Sequence, residues 1–362
     1  MAVAWVGNRG TLVEHAAEQA ALLLRSSRCP VLSFDTDIHG TRAAIALAER
    51  VGAAYDHVDG AALARETALF TDRGAMTVAP GEARRRADVV AIVGEMPSVY
   101  HDLVADLADT VPDLSAKNAR ELFLIGADGT KVASFLGSGK ATRLSCGSAG
   151  LGATLAALRA QCAGRLVSRP VSNFDGFARA LVTAKFPVFL FSGYGADTLA
   201  LEMLQGIIAD LNRKSRASGL HLPASDSGWG GALASTWMTG FPPRTGFARG
   251  FAEYDPWRFN VARMIAAGEA DLHLWISPTS AQRPEKSDVK LIALAKTAEP
   301  IPGAAITIAI GEAGVDHDAV VYSSRTGTIA SVEARGASEL PSAASVIRAI
   351  AGHVPAGAPF PC

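Results

Sequence analysis

Closely spaced cysteines are absent from this sequence. Its four cysteines, Cys29, Cys146, Cys162 and Cys362, lie far apart, and no Cys-x-x-Cys pair occurs. Zinc ribbons, iron–sulfur clusters and redox dithiols need cysteines at short spacing, so none of these is expected. Scattered cysteines suit a reducing cytoplasm, which is the predicted location.

Long apolar runs and blocks of like charge are also missing. No apolar run reaches the length of about 18 residues that a membrane helix needs, and the start MAVAWVGNRGT lacks the apolar region of a signal peptide. The net charge is −1, and the longest basic run is Arg84-Arg85-Arg86. Neither nucleic acid nor a membrane is therefore expected as a partner.

Charged residues are scarce, whereas apolar residues and glycine are common. Only 19% of the 362 residues are charged and 49% are hydrophobic, with 35 glycines. This composition predicts a compact globular protein, long enough for two α/β lobes, with part of its surface buried against other chains.

Apolar strands alternate with helical segments along most of the chain. Strands or apolar segments are predicted at residues 30–35, 87–93, 121–126, 187–191, 271–277 and 288–295. Helices are predicted at residues 11–27, 40–51, 61–70, 100–108, 151–162, 173–185, 196–212, 257–267 and 342–351. The first helix is expected to open with a capping box formed by Thr11 and Glu14. A glycine-rich loop is expected at residues 228–231 and a β-hairpin around Thr326-Gly327.

This alternation predicts the fold class α/β, with two doubly wound Rossmann-like lobes. The first lobe is expected to be discontinuous, comprising residues 1–138 and 296–362. The second is expected to comprise residues 139–295.

Residues 239–271, TGFPPRTGFARGFAEYDPWRFNVARMIAAGEAD, combine arginines and aromatic side chains with prolines and glycines. The prolines and glycines predict an irregular loop without regular helix or strand in the first half. Arg244, Arg249 and Arg258 are candidates for binding an anion. Alternatively, the segment covers a sheet edge or contacts a partner chain.

Two glycine-containing motifs only partly match nucleotide-binding patterns. Gly137-Ser-Gly-Lys140 lacks the first glycine and the final Ser or Thr of a phosphate loop, so a flexible interlobe loop is expected. Gly193-Tyr-Gly195 follows a strand and opens a helix, but Thr198 replaces the third glycine of a dinucleotide fingerprint. A tight strand-to-helix turn is favoured there, with an anion at the helix N-terminus as the alternative.

Asp35, Asp37 and His39 follow a buried strand and are considered as metal ligands. The favoured interpretation is that Asp37 or Thr36 caps the next helix. Asp316-His-Asp318 is interpreted in the same way, as polar turn residues.

The residues alone predict no catalytic constellation. No Gly-x-Ser-x-Gly nucleophile elbow occurs. His101, His273 and His353 have no carboxylate or cysteine partner that is evident from the sequence.

Several motifs nevertheless resemble the catalytic B chain of formylmethanofuran dehydrogenase, a family of molybdopterin/tungstopterin oxidoreductases. They are Ala87–Gly94, Trp237-Met-Thr-Gly-Phe-Pro242, Phe247-Ala-Arg-Gly-Phe251, Tyr254-Asp-Pro256, Gly268-Glu-Ala-Asp271 and Ala313–Tyr322. The resemblance covers nearly the whole chain and implies the central α/β domains of that superfamily.

The sequence departs from that family where the family holds its cofactors. The cysteine-rich [4Fe–4S] domain has no counterpart, and the Cys or selenocysteine that binds the metal falls near Ala62, followed by Leu63 and Ala64. His57 and Asp59 are the only polar groups nearby. The family's Asp-Pro motif for the pterin dinucleotide is here Ser277-Pro278. Metallopterin and cluster are therefore expected to be lost.

With these departures, the pattern resembles the B chains of bacterial formyltransferase/hydrolase complexes of one-carbon metabolism. In such complexes a formyl group passes from tetrahydromethanopterin to a methanofuran-type carrier and is hydrolysed to formate. The resemblance implies a non-catalytic structural subunit in a hetero-oligomer with an amidohydrolase-like subunit, a formyltransferase and a further structural subunit.

Two alternatives stay open. The chain could be a pterin-dependent dehydrogenase subunit with an unusual metal ligand. It could also bind the glutamate-rich tail of the carrier, in which case Arg244, Arg249 and Arg258 are the expected carboxylate partners.

Overall fold

The computed structural model describes residues 3–115, 119–136, 140–279, 284, 288–336 and 338–355. The chain forms two units, each built around its own sheet. Unit 1 comprises Met1–Ala64, Ser225–Tyr322 and Ile329–Cys362, and unit 2 comprises Arg65–Ala224 and Ser323–Thr328.

The secondary structure alternates between strands and helices, as the sequence predicts. The strands are β1 (Ala4–Val6), β2 (Arg9–Thr11), β3 (Pro30–Phe34), β4 (Ala54–His57), β5 (Val89–Val93), β6 (Glu121–Ile125), β7 (Thr142–Leu144), β8 (Pro187–Phe191), β9 (Ser218–His221), β10 (Thr245–Gly246), β11 (Glu253–Tyr254), β12 (Leu272–Ser277), β13 (Lys290–Ala295), β14 (Ile306–Ala309), β15 (Ala319–Ser323) and β16 (Thr328–Val332). The helices are α1 (Val13–Ser26), α2 (Ile38–Val51), α3 (Gly60–Asp72), α4 (Pro80–Arg86), α5 (His101–Asp109), α6 (Gly129–Leu136), α7 (Gly150–Cys162), α8 (Phe174–Thr183), α9 (Thr198–Leu211), α10 (Asp226–Thr239), α11 (Val261–Ala266) and α12 (Ala343–Gly352). No helix among the described residues is long and apolar enough to cross a membrane.

Unit 1 contains a nine-stranded sheet in the order β11-β10-β4-β3-β12-β13-β14-β1-β2. The five strands from β4 to β14 are parallel, and the strands at both edges are antiparallel. All five residues of β3 are buried, as expected for a parallel strand covered on both faces. One face packs on α1, α2 and α12, and the other on α11.

Unit 2 contains a five-stranded parallel sheet in the order β7-β6-β5-β8-β9. Helices α7, α8 and α9 cover one face, and α4, α5 and α6 cover the other. The strand order reverses between β5 and β8: β6 and β7 extend the sheet on one side of β5, and β8 and β9 extend it on the other. The expected α/β class with Rossmann-like lobes is confirmed.

The unit boundaries correct the expected ones, 1–138 with 296–362 and 139–295. Strands β5 and β6, assigned to the first lobe, lie between β7 and β8 in the sheet of unit 2. Strands β12 and β13, assigned to the second, lie between β3 and β14 in unit 1. The reason is physical: strand pairing joins segments far apart in sequence, and hydrophobic pattern alone does not show which strands are neighbours.

The expected capping box at Thr11 and Glu14 is wrong. Thr11 ends β2, where it pairs with Ala4, and α1 begins only at Val13, after Leu12. Strand pairing fixes Thr11 outside the helix, so that a tertiary contact overrides the local pattern.

The predicted glycine-rich loop at residues 228–231 is also wrong, because these residues lie in α10. Close packing explains the glycines: a Cβ at Gly230 would lie 3.2 Å from side-chain atoms of both Ile38 and Tyr322. A Cβ at Gly231 would lie 3.3 Å from Phe34. Glycine disfavours a helix by about 1 kcal/mol relative to alanine, but here it lets α10 approach its neighbours.

We expect Gly230→Val to lower the free energy of unfolding by about 2 kcal/mol, because its γ-carbons would overlap Ile38 and Tyr322. Chemical denaturation measures the loss. Gly176→Val is the matched control, since Gly176 lies in α8 with open space around its Cβ position. Equal stability of the two variants would contradict the packing explanation.

Residues 239–271 contain short strands, contrary to the predicted loop. β10 pairs with β4, and β11 pairs with β10, so the segment covers one edge of the unit 1 sheet. Gly246 makes room for Phe259, whose ring would lie 2.4 Å from a Cβ there. Two-residue strands fit between the prolines and glycines, which the sequence pattern did not reveal.

His273, for which the sequence shows no partner, is buried in β12 and hydrogen-bonds Ser33 in β3, with Nε2 2.6 Å from Oγ. Burial lowers the pKa of His273 to about 4. The unfolded chain, with the ordinary value of 6.5, therefore binds more protons between these two values. The contribution of neutral His273 to the free energy of unfolding is therefore fully present above pH 6.5. It is lost as the pH falls toward 4, and the loss amounts to about 3 kcal/mol.

His273→Gln is therefore expected to flatten the stability profile between pH 4 and pH 6.5, because glutamine keeps a partner for Ser33 and does not titrate. Urea denaturation across this range measures the profile. His15→Gln, at an exposed histidine in α1, is the control variant.

Candidate functional site

The topological switch point of the unit 1 sheet lies between β3 and β12. Open parallel sheets bind their ligands at the carboxyl ends of such strands. Asp35 follows β3, and its Oδ2 accepts hydrogen bonds from Thr279 Oγ1 at 2.7 Å and Ser277 Oγ at 3.4 Å. His57, the last residue of β4, places Nε2 3.7 Å from Asp35 Oδ1.

His57 is buried, and neighbouring residues fix the position of its ring. Its Nδ1 accepts the backbone N–H of Asp59 at 3.0 Å, so the neutral ring carries its proton on Nε2, which faces Asp35. The ring lies edge-on to Phe34 and against Gly228 of α10. With one nitrogen accepting and the other protonated, the imidazole has no lone pair for a substrate.

Asp35 is an ionised carboxylate. Burial alone would raise its pKa, but the nearby His57 ring and hydrogen bonds from Ser227 and Thr279 hold the pKa of Asp35 well below the usual aspartate range. A fixed negative charge at this crevice repels phosphates and other anions.

Asp35, Asp37 and His39 have separate roles. Asp37 caps α2 by accepting the N–H of Gly40 at 2.8 Å, as the favoured interpretation predicts, and His39 is exposed. Within the ranges that the structure describes, no group of three or more His, Cys, Asp and Glu side chains is placed to hold a metal ion.

Ala62 lies in the first turn of α3, and its methyl group has no atom that could bind a metal. Leu63 and Ala64 follow it, and His57 is already directed at Asp35 and Asp59. These residues do not fit the molybdenum or tungsten ligands of the oxidoreductases that the sequence resembles.

Arg244 was expected to bind an anion, but the structure places it in a buried ion pair. Its Nε lies 3.1 Å from Oδ2 of Asp56, and its Nη1 donates to the carbonyl of Pro256 at 2.8 Å. Burial raises the pKa of Asp56, and Arg244 opposes that rise. Arg244 thus neutralises a carboxylate of the protein itself, and its binding of an external anion stays a prediction.

Arg249 and Arg258 remain at the surface. Arg249 pairs with Glu253 at 3.2 Å, and Arg258 stacks on Phe259 at 5.0 Å from the ring centroid. Both arginines thus contact residues of the chain itself, and their binding of an anion stays a prediction.

The switch point of unit 2 is organised by Glu66. This carboxylate is buried, and its Oε1 accepts the N–H groups of Gly193 after β8, at 2.7 Å, and Ala224 after β9, at 2.9 Å. His221 Nε2 lies 3.4 Å from the same oxygen. A Cβ at Gly193 would lie 2.4 Å from Glu66, which explains the glycine.

The favoured interpretation of Gly193-Tyr-Gly195 as a tight turn agrees with this geometry. Asp197 caps α9 by accepting the N–H of Ala200 at 2.7 Å. Its carboxylate occupies the helix N-terminus where the alternative interpretation places an anion.

A groove of about 400 Å³ opens beside the carboxyl ends of β5 and β6 in unit 2. His101 stacks on Phe135 there at 4.0 Å, and Lys131 pairs with Glu95 at 2.7 Å. Both pairs are formed by residues of the groove itself.

The remaining motifs contain turn residues. Asp316 accepts the N–H of Glu312 and pairs with Lys296, and Asp318 accepts the N–H of Ala334. In the phosphate-loop-like motif, residues 137–139 lie outside the described part of the chain.

Sequence reasoning missed Asp56, Glu66 and the pairing of Asp35 with His57. His57 and Asp56 lie in β4, a four-residue strand that the sequence did not predict, and Glu66 lies within an ordinary helical pattern. A charged residue on the buried face of a helix was the one available signal for Glu66.

These features define a class of protein: two doubly wound α/β units whose strand-end polar groups pair with one another. No protein-family model matches the sequence. The chain is similar to the B chain of the formyltransferase/hydrolase complex Fhc of Methylorubrum extorquens, with 34% identity over 343 aligned residues and 93% of each chain covered. It therefore belongs to the family of formyltransferase/hydrolase complex B chains, as the resemblance predicts.

A solved structure agrees with this assignment. The chain is similar to a chain in the X-ray crystal structure of the formyltransferase/hydrolase complex FhcABCD from Methylorubrum extorquens in complex with methylofuran. The TM-score is 0.88 and the identity 33%, over 97% of this chain and 98% of that one. The wider similarity to formylmethanofuran dehydrogenase stays a prediction.

Proposed function

We propose that the chain is the structural B component of a formyltransferase/hydrolase complex of one-carbon metabolism and is not itself catalytic. The observation that carries the proposal is similarity to the Fhc B chain along nearly the full length of both proteins. The complex would move a formyl group from tetrahydromethanopterin to a methanofuran-type carrier and release formate, with the chemistry in an amidohydrolase-like and a formyltransferase subunit.

The geometry at both switch points supports a non-catalytic role. In unit 1, Asp35 accepts a hydrogen bond from Thr279 and faces His57, and in unit 2 Glu66 accepts backbone N–H groups. These side chains therefore position loops of the protein.

We also propose that the chain holds neither a metallopterin nor an iron–sulfur cluster. Two residues support this. Ala62, near the family's metal-ligand position, cannot bind a metal. The ionised Asp35, beside Ser277-Pro278, repels a pyrophosphate. A cytoplasmic location is part of the same proposal and rests on the scattered cysteines.

The proposal is tested by expressing a tagged form of the chain in its own host and identifying what co-purifies. We expect an amidohydrolase-like subunit, a formyltransferase and a further subunit in fixed ratio, with no molybdenum or tungsten assigned to this chain by metal analysis. Purification of the chain alone would contradict the assembly role. One molybdenum or tungsten per chain would instead favour the pterin-dependent alternative.

A further inference from the structure

Large apolar side chains are exposed together around the edge strands β10 and β11. Trp237 and Met238 lie in the last turn of α10, and Phe241 follows that helix. Phe251 and Trp257 flank β11. Trp257 is 70% exposed, Trp237 63% and Phe251 57%. We call these five residues, together with Arg249 and Arg258, the aromatic–arginine patch.

The two parts of the patch are adjacent, because Phe241 stacks on Tyr254 of β11 with the rings 6.0 Å apart and nearly parallel. Tyr254 is paired with Thr245 in β10, which fixes the edge ribbon to the sheet. Most large apolar residues exposed elsewhere, such as Leu166 and Val182, are aliphatic, and Tyr194 is an aromatic exception. Clustered aromatic side chains on a fixed ribbon are typical of an interface.

Trp257 is held rigidly although it is exposed. Arg263 lies over its ring at 4.3 Å, and Arg263 is itself fixed by two hydrogen bonds to Glu269, at 2.6 and 2.7 Å. The carboxylate of Asp255 accepts the N–H groups of Trp257 and Arg258 at 2.9 Å each. An exposed tryptophan that is already ordered loses little conformational entropy on binding, which favours its use as an interface anchor.

The charges of the patch indicate what it contacts. Arg258 forms no ion pair within 4.0 Å with any described residue, and Arg249 is 62% exposed beside Glu253. A two-fold contact between copies of this chain would add only carboxylates that are already in use, since Glu253 pairs with Arg249 and Glu269 with Arg263. A surface with its own acidic groups satisfies both arginines.

We propose that the aromatic–arginine patch docks another subunit of the complex, one that presents apolar side chains and carboxylates to it. This inference rests on the proposed function and adds the surface and the chemistry of its partner.

The test compares complexes purified from co-expression of all four subunits with wild-type chain, with Phe251→Ser/Trp257→Ser, and with Arg258→Glu. Leu166→Ser/Val182→Ser and Arg213→Glu are the matched controls, since these side chains are exposed in unit 2. Size-exclusion chromatography with a subunit census measures assembly, and thermal melting verifies folding. We expect both patch variants to lower the yield of complex at least about tenfold and the controls to leave it unchanged.

Each other outcome is decisive. If wild-type complex forms and the patch variants assemble equally well, the patch is not the docking surface, although the proposed function stands. If wild-type chain joins no other subunit, the proposed function and the inference both fail. Loss of a homodimer without loss of the other subunits would show that a second copy occupies the patch.

Discussion

Replacing Arg244 by alanine is expected to lower the free energy of unfolding by about 4 kcal/mol. Arg244 and Asp56 are both nearly buried, with Nε 3.1 Å from Oδ2, and removing one partner leaves an uncompensated buried charge. The change also removes the donor to the carbonyl of Pro256. Denaturant titration measures the global loss, and hydrogen exchange should locate it at β4 and β10.

The pH dependence of this loss has a defined sign. Burial already raises the pKa of Asp56 above 3.8, and without Arg244 the folded protein favours the protonated carboxyl more strongly. The folded variant then binds more protons than the unfolded chain. The loss of unfolding free energy relative to the wild-type chain is therefore small at low pH and grows as the pH rises. A loss of unfolding free energy that does not vary with pH would contradict a role for the Asp56 charge.

Two further variants are matched controls for Arg244→Ala. Asp56→Asn added to Arg244→Ala should recover part of the stability, because it removes the charge that has lost its partner. Arg249→Ala, at an exposed ion pair with Glu253, should cost less than about 1 kcal/mol. If it costs as much as Arg244→Ala, burial is not the reason for the effect.

Glu66→Ala is expected to destabilise unit 2 by about 4 kcal/mol. The carboxylate accepts N–H groups from Gly193 and Ala224 and contacts His221, and each unsatisfied buried donor costs about 1–3 kcal/mol. The methyl group of alanine also leaves space beside Gly193. Hydrogen exchange should show faster opening of the loops after β8 and β9.

Glu66→Gln separates hydrogen bonding from charge. Its amide oxygen can accept the same two N–H groups, so we expect it to retain most of the stability that alanine loses. Glu82→Ala, on the half-exposed helix α4, is the surface control. Equal losses for the glutamine and alanine variants would show that the charge, and not the hydrogen bonds, holds these loops.

Much of the fold is predictable from local pattern. β8 was predicted at its observed bounds, and β3, β5 and β6 within two residues, because each is an apolar run that a buried parallel strand requires. The four-residue strand β4 was missed because AYDH ends in two polar residues. Helix α10 was missed because glycine usually ends helices, whereas here it permits close packing.

The candidate site was less predictable than the fold. Asp37 was recognised as a helix cap because its partner, the N–H of Gly40, lies three residues away. The acceptor for Arg244 lies 188 residues away in Asp56, and the N–H of Gly193 bonds to Glu66 over 127 residues. No local pattern indicates such partners.

The sequence by itself determined the α/β class and the resemblance to the B chains of formyltransferase/hydrolase complexes. Each of these depends on residue type or on spacing within a few residues. Only the tertiary structure decided that Arg244 neutralises Asp56, that Asp35 faces His57, and that residues 239–271 cover a sheet edge. These contacts depend on which strands pair and in what register, and that choice minimises the free energy of the whole chain.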